Sequence, residues 1–224
     1  MDTTANSTGN PAAHSTSTAT RTGTQLLLIW LIANAAGGFL TGALEGGGLH
    51  FFATILLQGP LLGLAQALAL WGVLPRAWRW ALITLTMFIP GLMLTGPLSG
   101  IPATRLTETL GLWEVFWLQA MMMMLVMLVV GLGQWAAFHW LSGWWMAIST
   151  LGGAMLGMTS ATVCLLACDP LMQTGGNWLA TGVSMGAGWL AYGLPTGFWL
   201  AGRMDRIEDR KDSGEMSEED KIED

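Results

Sequence analysis

The sequence predicts an all-α protein, a polytopic transmembrane helical bundle of six spans arranged as three repeated hairpins. Three observations carry this expectation: an oily composition, long runs without charge, and a repeat of the same residues at the same offsets. Of 224 residues, 52% are hydrophobic and only 11% are charged, against roughly a quarter charged in a soluble domain. A chain of this size cannot bury so much apolar surface in one water-solvated core, and a mean hydropathy of +0.50 calls for lipid as the solvent. A soluble enzyme, a nucleic-acid binder and a disulfide-stapled secreted domain are thereby excluded. Helices follow because an open sheet in lipid leaves backbone groups unpaired, and barrel-type alternation is absent.

Residues 1–22 are rich in Ser, Thr, Ala and Asn with no apolar run, and read as a disordered cytoplasmic arm. They lack the basic start and early apolar core of a secretory signal, so the first hydrophobic run acts as the membrane signal. The transmembrane domain, 23–202, holds six apolar segments at about 24–44, 50–72, 78–98, 112–138, 143–166 and 177–201. Each approximates the roughly 20 residues that cross about 30 Å of hydrocarbon. Glycine and proline punctuate the turns: Glu45 to Gly48, Leu74 to Arg76, Pro97 to Pro102, Leu141 to Gly143, and Asp169-Pro170 through Gly176. Residues 203–224 form an acidic cytoplasmic tail that carries most of the net charge of -6.

The basic residues set the orientation. With six spans, Arg21, Arg76, Arg79, Arg203, Arg206, Arg210 and Lys211 share the side of both termini, and Arg105 lies on the other. The excess of positive charge marks the cytoplasmic face, so the expected location is the cytoplasmic membrane, multi-pass, with both ends inside. The segment from Leu98 to Gly111, with Arg105 and Glu108, becomes the largest outward loop. Trp71, Trp78, Trp80, Trp140, Trp144 and Trp145 are expected at the inner interface as an aromatic belt.

Self-alignment reveals the repeat. Trp30 is followed by Gly37, Gly38 and Gly42, and Trp145 by Gly152, Gly153 and Gly157 at identical offsets. The third helix keeps only Trp80 of this set. The even helices carry Gly63-Leu-Ala-Gln66, Gly131-Leu-Gly-Gln134 and a degenerate Gly193-Leu-Pro-Thr196. The pairs Gly38 and Gly42, Gly153 and Gly157, and Gly182 and Gly186 each put two glycines on one helix face, the spacing that lets helix backbones approach in lipid.

The doubled Gly-x-x-Gln pattern resembles that of a set of poorly characterised bacterial multispanning membrane proteins that repeat Gly-x-x-Gln-Trp-x-x-Leu. The match is best at Gly131, Gln134, Trp135 and Phe138. It is weaker at Gly63, Gln66 and Leu70, where Ala67 replaces the tryptophan, and poorest at Gly193, where Thr196 replaces the glutamine. The resemblance implies a repeated bundle and brings no activity with it.

Polar groups at membrane depth are expensive, so each invites a role. Asn34, Gln58, Gln66, Gln119 and Gln134 are the candidates. Gln58 and Gln66 fall about 80° apart on a helical wheel, on the side of Gly59 and Gly63, and Gln119 and Gln134 about 60° apart. These amides either line a path for a polar solute or bond one another between helices at about 0.6 kcal/mol each. Carboxylates and histidines are missing from the middle of the spans, which disfavours a proton-coupled pump. Glu45, Glu114 and Asp169 sit near the outer interface as solvated helix ends or a cation-attracting rim. His50 and His139 lie at opposite ends of parallel helices and cannot share a haem across about 30 Å. Met121 to Met124, Met127, Met155 and Met158 read as adaptable apolar filler, and Cys164 and Cys168 as small packing residues on the opposite side of their helix, although their outward position leaves a redox role open.

Neither a catalytic set nor metal-ligand spacing appears, so no catalytic residue, cofactor or metal is expected. The first functional expectation is a non-enzymatic assembly or scaffold component of a membrane complex, with the lipid bilayer and a membrane-protein partner or a second copy of itself around it, and no nucleic acid. The alternative is a small transporter, channel or transporter subunit for a neutral or weakly polar solute, lined by the five amides.

Overall fold

The computed structural model describes residues 23–74, 76–99, 114–138 and 140–212. They form six α-helices: α1 (Gly23–Gly46), α2 (Phe51–Ala69), α3 (Trp78–Ser99), α4 (Glu114–Ala137), α5 (Trp144–Gly175) and α6 (Asn177–Asp212). No strand occurs among the described residues. The arm at 1–22, the outward loop with Arg105 and Glu108, His139 and the last part of the tail lie outside them.

Four helices are long and apolar enough to cross a membrane: α1, α3, α4 and α5. In α2 the apolar stretch is shorter, Leu56–Ala69. α6 has ample length but dilutes its hydropathy with Gly182, Gly186, Gly193 and Gly197 and with Tyr192, Pro195 and Thr196, residues that serve its packing. Two boundaries differ from the sequence expectation. α5 does not turn at Asp169-Pro170 but continues through Pro170 to Gly175. It stops there because Gly176 takes φ +84° and donates its N–H to the Met172 carbonyl at 2.9 Å, a backbone that side chains other than glycine rarely adopt. α6 likewise runs past Arg203 to Asp212, so the start of the expected tail is helix.

Short turns join α1 to α2, α2 to α3, α4 to α5 and α5 to α6. Each helix packs on its neighbours in the chain, and α1 packs on α6, so the six close into a ring. Arg203 fixes one end of the ring by donating to the Trp140 carbonyl at 3.1 Å, and the Gly23 N–H donates to Asp205 Oδ1 at 3.0 Å. Arg76, Arg79 and Arg206 share that end. At the opposite end Asn177 donates to the Gly46 carbonyl at 3.3 Å, near Glu45 and Asp169.

The glycine faces serve the seams inside the ring. A Cβ at Gly38 would strike Trp189, at Gly42 the Thr181 carbonyl, and at Gly182 and Gly186 Phe39, all between α1 and α6. A Cβ at Gly153 or Gly157 would strike the Met123 or Gln119 carbonyl on α4. Close backbone approach of this kind supplies the dispersion that holds helices together in lipid. At one equivalent position the small and large partners trade sides: Gly38 faces Trp189, Gly153 faces Met127, and in the third seam Gly59 on α2 accommodates Phe88 on α3. α3 therefore needs no glycine where α1 and α5 have one.

Candidate functional site

Two features stand out inside the ring, a belt of buried polar side chains and a cavity between helices. The belt starts from the repeated tryptophans. Trp30, Trp80 and Trp145 are fully buried, one each on α1, α3 and α5, whose backbones do not touch. Their indoles meet on the axis instead: Trp80 packs edge-on against Trp30 with ring centroids 6.0 Å apart and against Trp145 at 5.5 Å. Trp80 and Trp145 are thus core residues and do not join the interfacial belt expected of them, whereas Trp71, Trp78 and Trp144 stay exposed.

A buried indole N–H needs an acceptor, and each of the three finds one on the preceding even helix of the ring. Trp80 Nε1 donates to Gln66 Oε1 at 3.0 Å, Trp145 Nε1 to Gln134 Oε1 at 3.0 Å, and Trp30 Nε1 to Thr196 Oγ1 at 3.0 Å. The amide nitrogens then reach the next odd helix. Gln66 Nε2 donates to Asn34 Oδ1 at 2.8 Å and Gln134 Nε2 to Thr84 Oγ1 at 3.0 Å. Asn34 Nδ2 donates to the Trp30 carbonyl at 2.8 Å. Where Thr196 is too short to reach on, Tyr192, one turn earlier, puts its hydroxyl 3.2 Å from Ser149 Oγ. Each glutamine therefore ties three helices together.

The glycine three residues before each of these positions lets the helices close. Gly63 abuts Ala81 and Thr84, Gly131 abuts Ser149 and Met146, and Gly193 abuts Asn34 and Leu31. Every one of these neighbours stands one or four residues after a belt tryptophan.

The five candidate amides do not form one lining. Asn34, Gln66 and Gln134 belong to the belt. Gln58 is buried two turns from Gln66 with its Nε2 unpartnered. Gln119 lies at the far end of α4 on the cavity wall. Thr84, Ser149 and Tyr192 are belt members that sequence reasoning missed. The signal was present, since Asn34, Thr84 and Ser149 each follow a repeated tryptophan by four residues.

The cavity, about 590 Å³, lies between α4, α5 and α6 at the end of the ring opposite the arginines, with Glu45 of α1 at its edge. Phe116, Met123, Leu156, Leu165, Met172 and Met185 give it an apolar wall, and Gln119, Ser160, Thr162, Thr181, Ser184 and Asp169 add polar groups. Cys164 and Cys168 also line it, and they are joined in a disulfide on consecutive turns of α5. Of the two readings the sequence allows, packing or redox, the bridge agrees with the second: a separation of four brings both sulfurs onto one helix face. Among the described residues no group of three or more His, Cys, Asp or Glu is placed to hold a metal ion.

Comparison with protein-family models, curated proteins and solved structures finds no match. The functional reading therefore rests on the belt and the cavity alone.

Proposed function

We propose that this chain is a six-span protein of the cytoplasmic membrane, with both termini inside, that acts without an enzymatic step as a rigid assembly component of a membrane complex. α2 and α6 complete the six spans, because a ring that packs each helix between two neighbours leaves neither room to lie outside the bilayer. The equivalent bonds at Trp30, Trp80 and Trp145 support a build of three repeated hairpins, and the resemblance to bacterial proteins with repeated Gly-x-x-Gln-Trp is part of the same proposal.

One observation carries the preference for assembly over conduction. Three of the five amides that would have lined a path, Asn34, Gln66 and Gln134, are engaged in interhelical bonds, and three indoles occupy the axis beside them. A polar solute moving along the axis would have to break those bonds in a low-dielectric interior, where each unmade bond costs about 1–3 kcal/mol. The side cavity favours a second reading, a subunit that holds a small solute for a larger transporter.

Reconstitution tests both. The full chain in liposomes should show no flux of neutral solutes such as glycerol or urea above protein-free vesicles, and cross-linking in native membranes should trap a stoichiometric membrane partner or a second copy. Saturable flux that disappears in folded Gln66→Leu and Gln134→Leu variants would instead establish conduction.

A further inference from the structure

The walls of the side cavity have a one-sided hydrogen-bonding character. Ser160 donates its hydroxyl proton to the Leu156 carbonyl at 2.8 Å, Ser184 to the Ser160 carbonyl at 2.8 Å, Thr162 to the Met158 carbonyl at 2.8 Å, and Thr181 to the Gly42 or Asn177 carbonyl at 2.7 Å. A hydroxyl has one proton and two lone pairs, so each of these oxygens can still accept but has no proton left to give. Glu45 and Asp169 add carboxylates, and no lysine, arginine or histidine lines the cavity among the described residues. Among the described residues the Gln119 amide is the one side-chain N–H donor on the wall.

We infer that this cavity binds an amphiphilic cation, an apolar ring or short chain bearing one protonated amine. The volume of about 590 Å³ falls within the roughly 300–1,000 Å³ of small-molecule sites. The apolar wall takes the body of such a ligand, with the adaptable, polarizable thioethers of Met123, Met172 and Met185 beside it. Its ammonium supplies the donors that the serine, threonine and carboxylate oxygens lack. An anionic amphiphile would meet acceptors and like charge. A phospholipid headgroup is a poor fit for the same reason, since its phosphate would need donors that the wall does not offer, so the ligand is a free amine. This inference is independent of whether the protein works in an assembly.

Matched probes isolate the head charge. The purified full chain in phosphatidylcholine nanodiscs should bind naphthylmethylammonium saturably with one site per chain, measured by equilibrium dialysis against empty nanodiscs, and should not bind naphthylacetate saturably. Glu45→Gln combined with Asp169→Asn should weaken the cation about tenfold, the equivalent of about 1.4 kcal/mol. Ala161→Phe, which fills the cavity from α5, should abolish binding while the elution profile and unfolding midpoint hold. Equal binding of the two probes, no saturable binding of the cation by folded protein, or an affinity indifferent to both sets of substitutions would overturn the proposal. Replacing part of the phosphatidylcholine with phosphatidylethanolamine should leave the affinity unchanged, and competition by that lipid would reassign the site to a headgroup.

Discussion

Trp145 on α5 gives its indole proton to the Gln134 side-chain oxygen on α4 at 3.0 Å, with both residues fully buried. The same bond at the same length joins Trp80 to Gln66. In hydrocarbon neither partner has water to fall back on, so these pairs fix which helix faces which. They also spend the polar groups most suited to handling a solute.

Gln134→Leu should destabilise the bundle by about 1–3 kcal/mol, because it strands the Trp145 N–H and the Thr84 hydroxyl in an apolar interior. Denaturant titration in mixed micelles measures this. A double-mutant cycle with Trp145→Phe should return a coupling between about 0.6 and 1.7 kcal/mol, and a coupling of zero would mean that the bond does not form.

Glycine substitutions should divide by what lies opposite. Gly157→Ile drives a branched side chain into the Gln119 carbonyl and should prevent α4 and α5 from closing, seen as aggregation or loss of a single elution peak. Gly202→Ala meets nothing within 4 Å and should be neutral or stabilising by up to about 1 kcal/mol, through helix propensity alone.

Gln58 is the contrary case to Gln66. Its Nε2 is buried without a partner, so Gln58→Leu removes an unsatisfied donor and should raise the unfolding free energy by about 1 kcal/mol. A loss of stability would show that Gln58 has a polar contact in the membrane.

The Cys164–Cys168 bridge spans consecutive turns of one helix. Alkylation followed by mass spectrometry should find both cysteines protected until reductant is added. Reduction should change stability by less than about 0.5 kcal/mol, because transmembrane helices persist when a bundle comes apart in lipid and the link then restrains little.

The helices were legible because a span is a local property: about 20 apolar residues suffice to mark one, and the expected bounds of α1, α3 and α4 fall within a few residues of those observed. The partners were not, because periodicity assigns a residue to a face and leaves open what stands across from it. Trp80 is the clear instance. Its place in the repeat was visible, yet its nearness to Arg79 and Trp78 at a helix start suggested the interface, whereas it turns inward to reach Gln66. Pro170 failed as a stop signal for a physical reason, since lost backbone bonds in a membrane helix can be made good by neighbouring groups. The cavity was unreadable, because it is assembled from three helices and the tip of a fourth.

The seam between α1 and α6 joins residues as far apart in the chain as Trp30 and Thr196. During synthesis the first five helices can form only an open crescent, in which the earliest indole waits for an acceptor that the ribosome delivers last. Docking of α6 against α1 is therefore the step that closes the ring, and until it happens the glycine face of α1 at Gly38 and Gly42 has nothing packed against it.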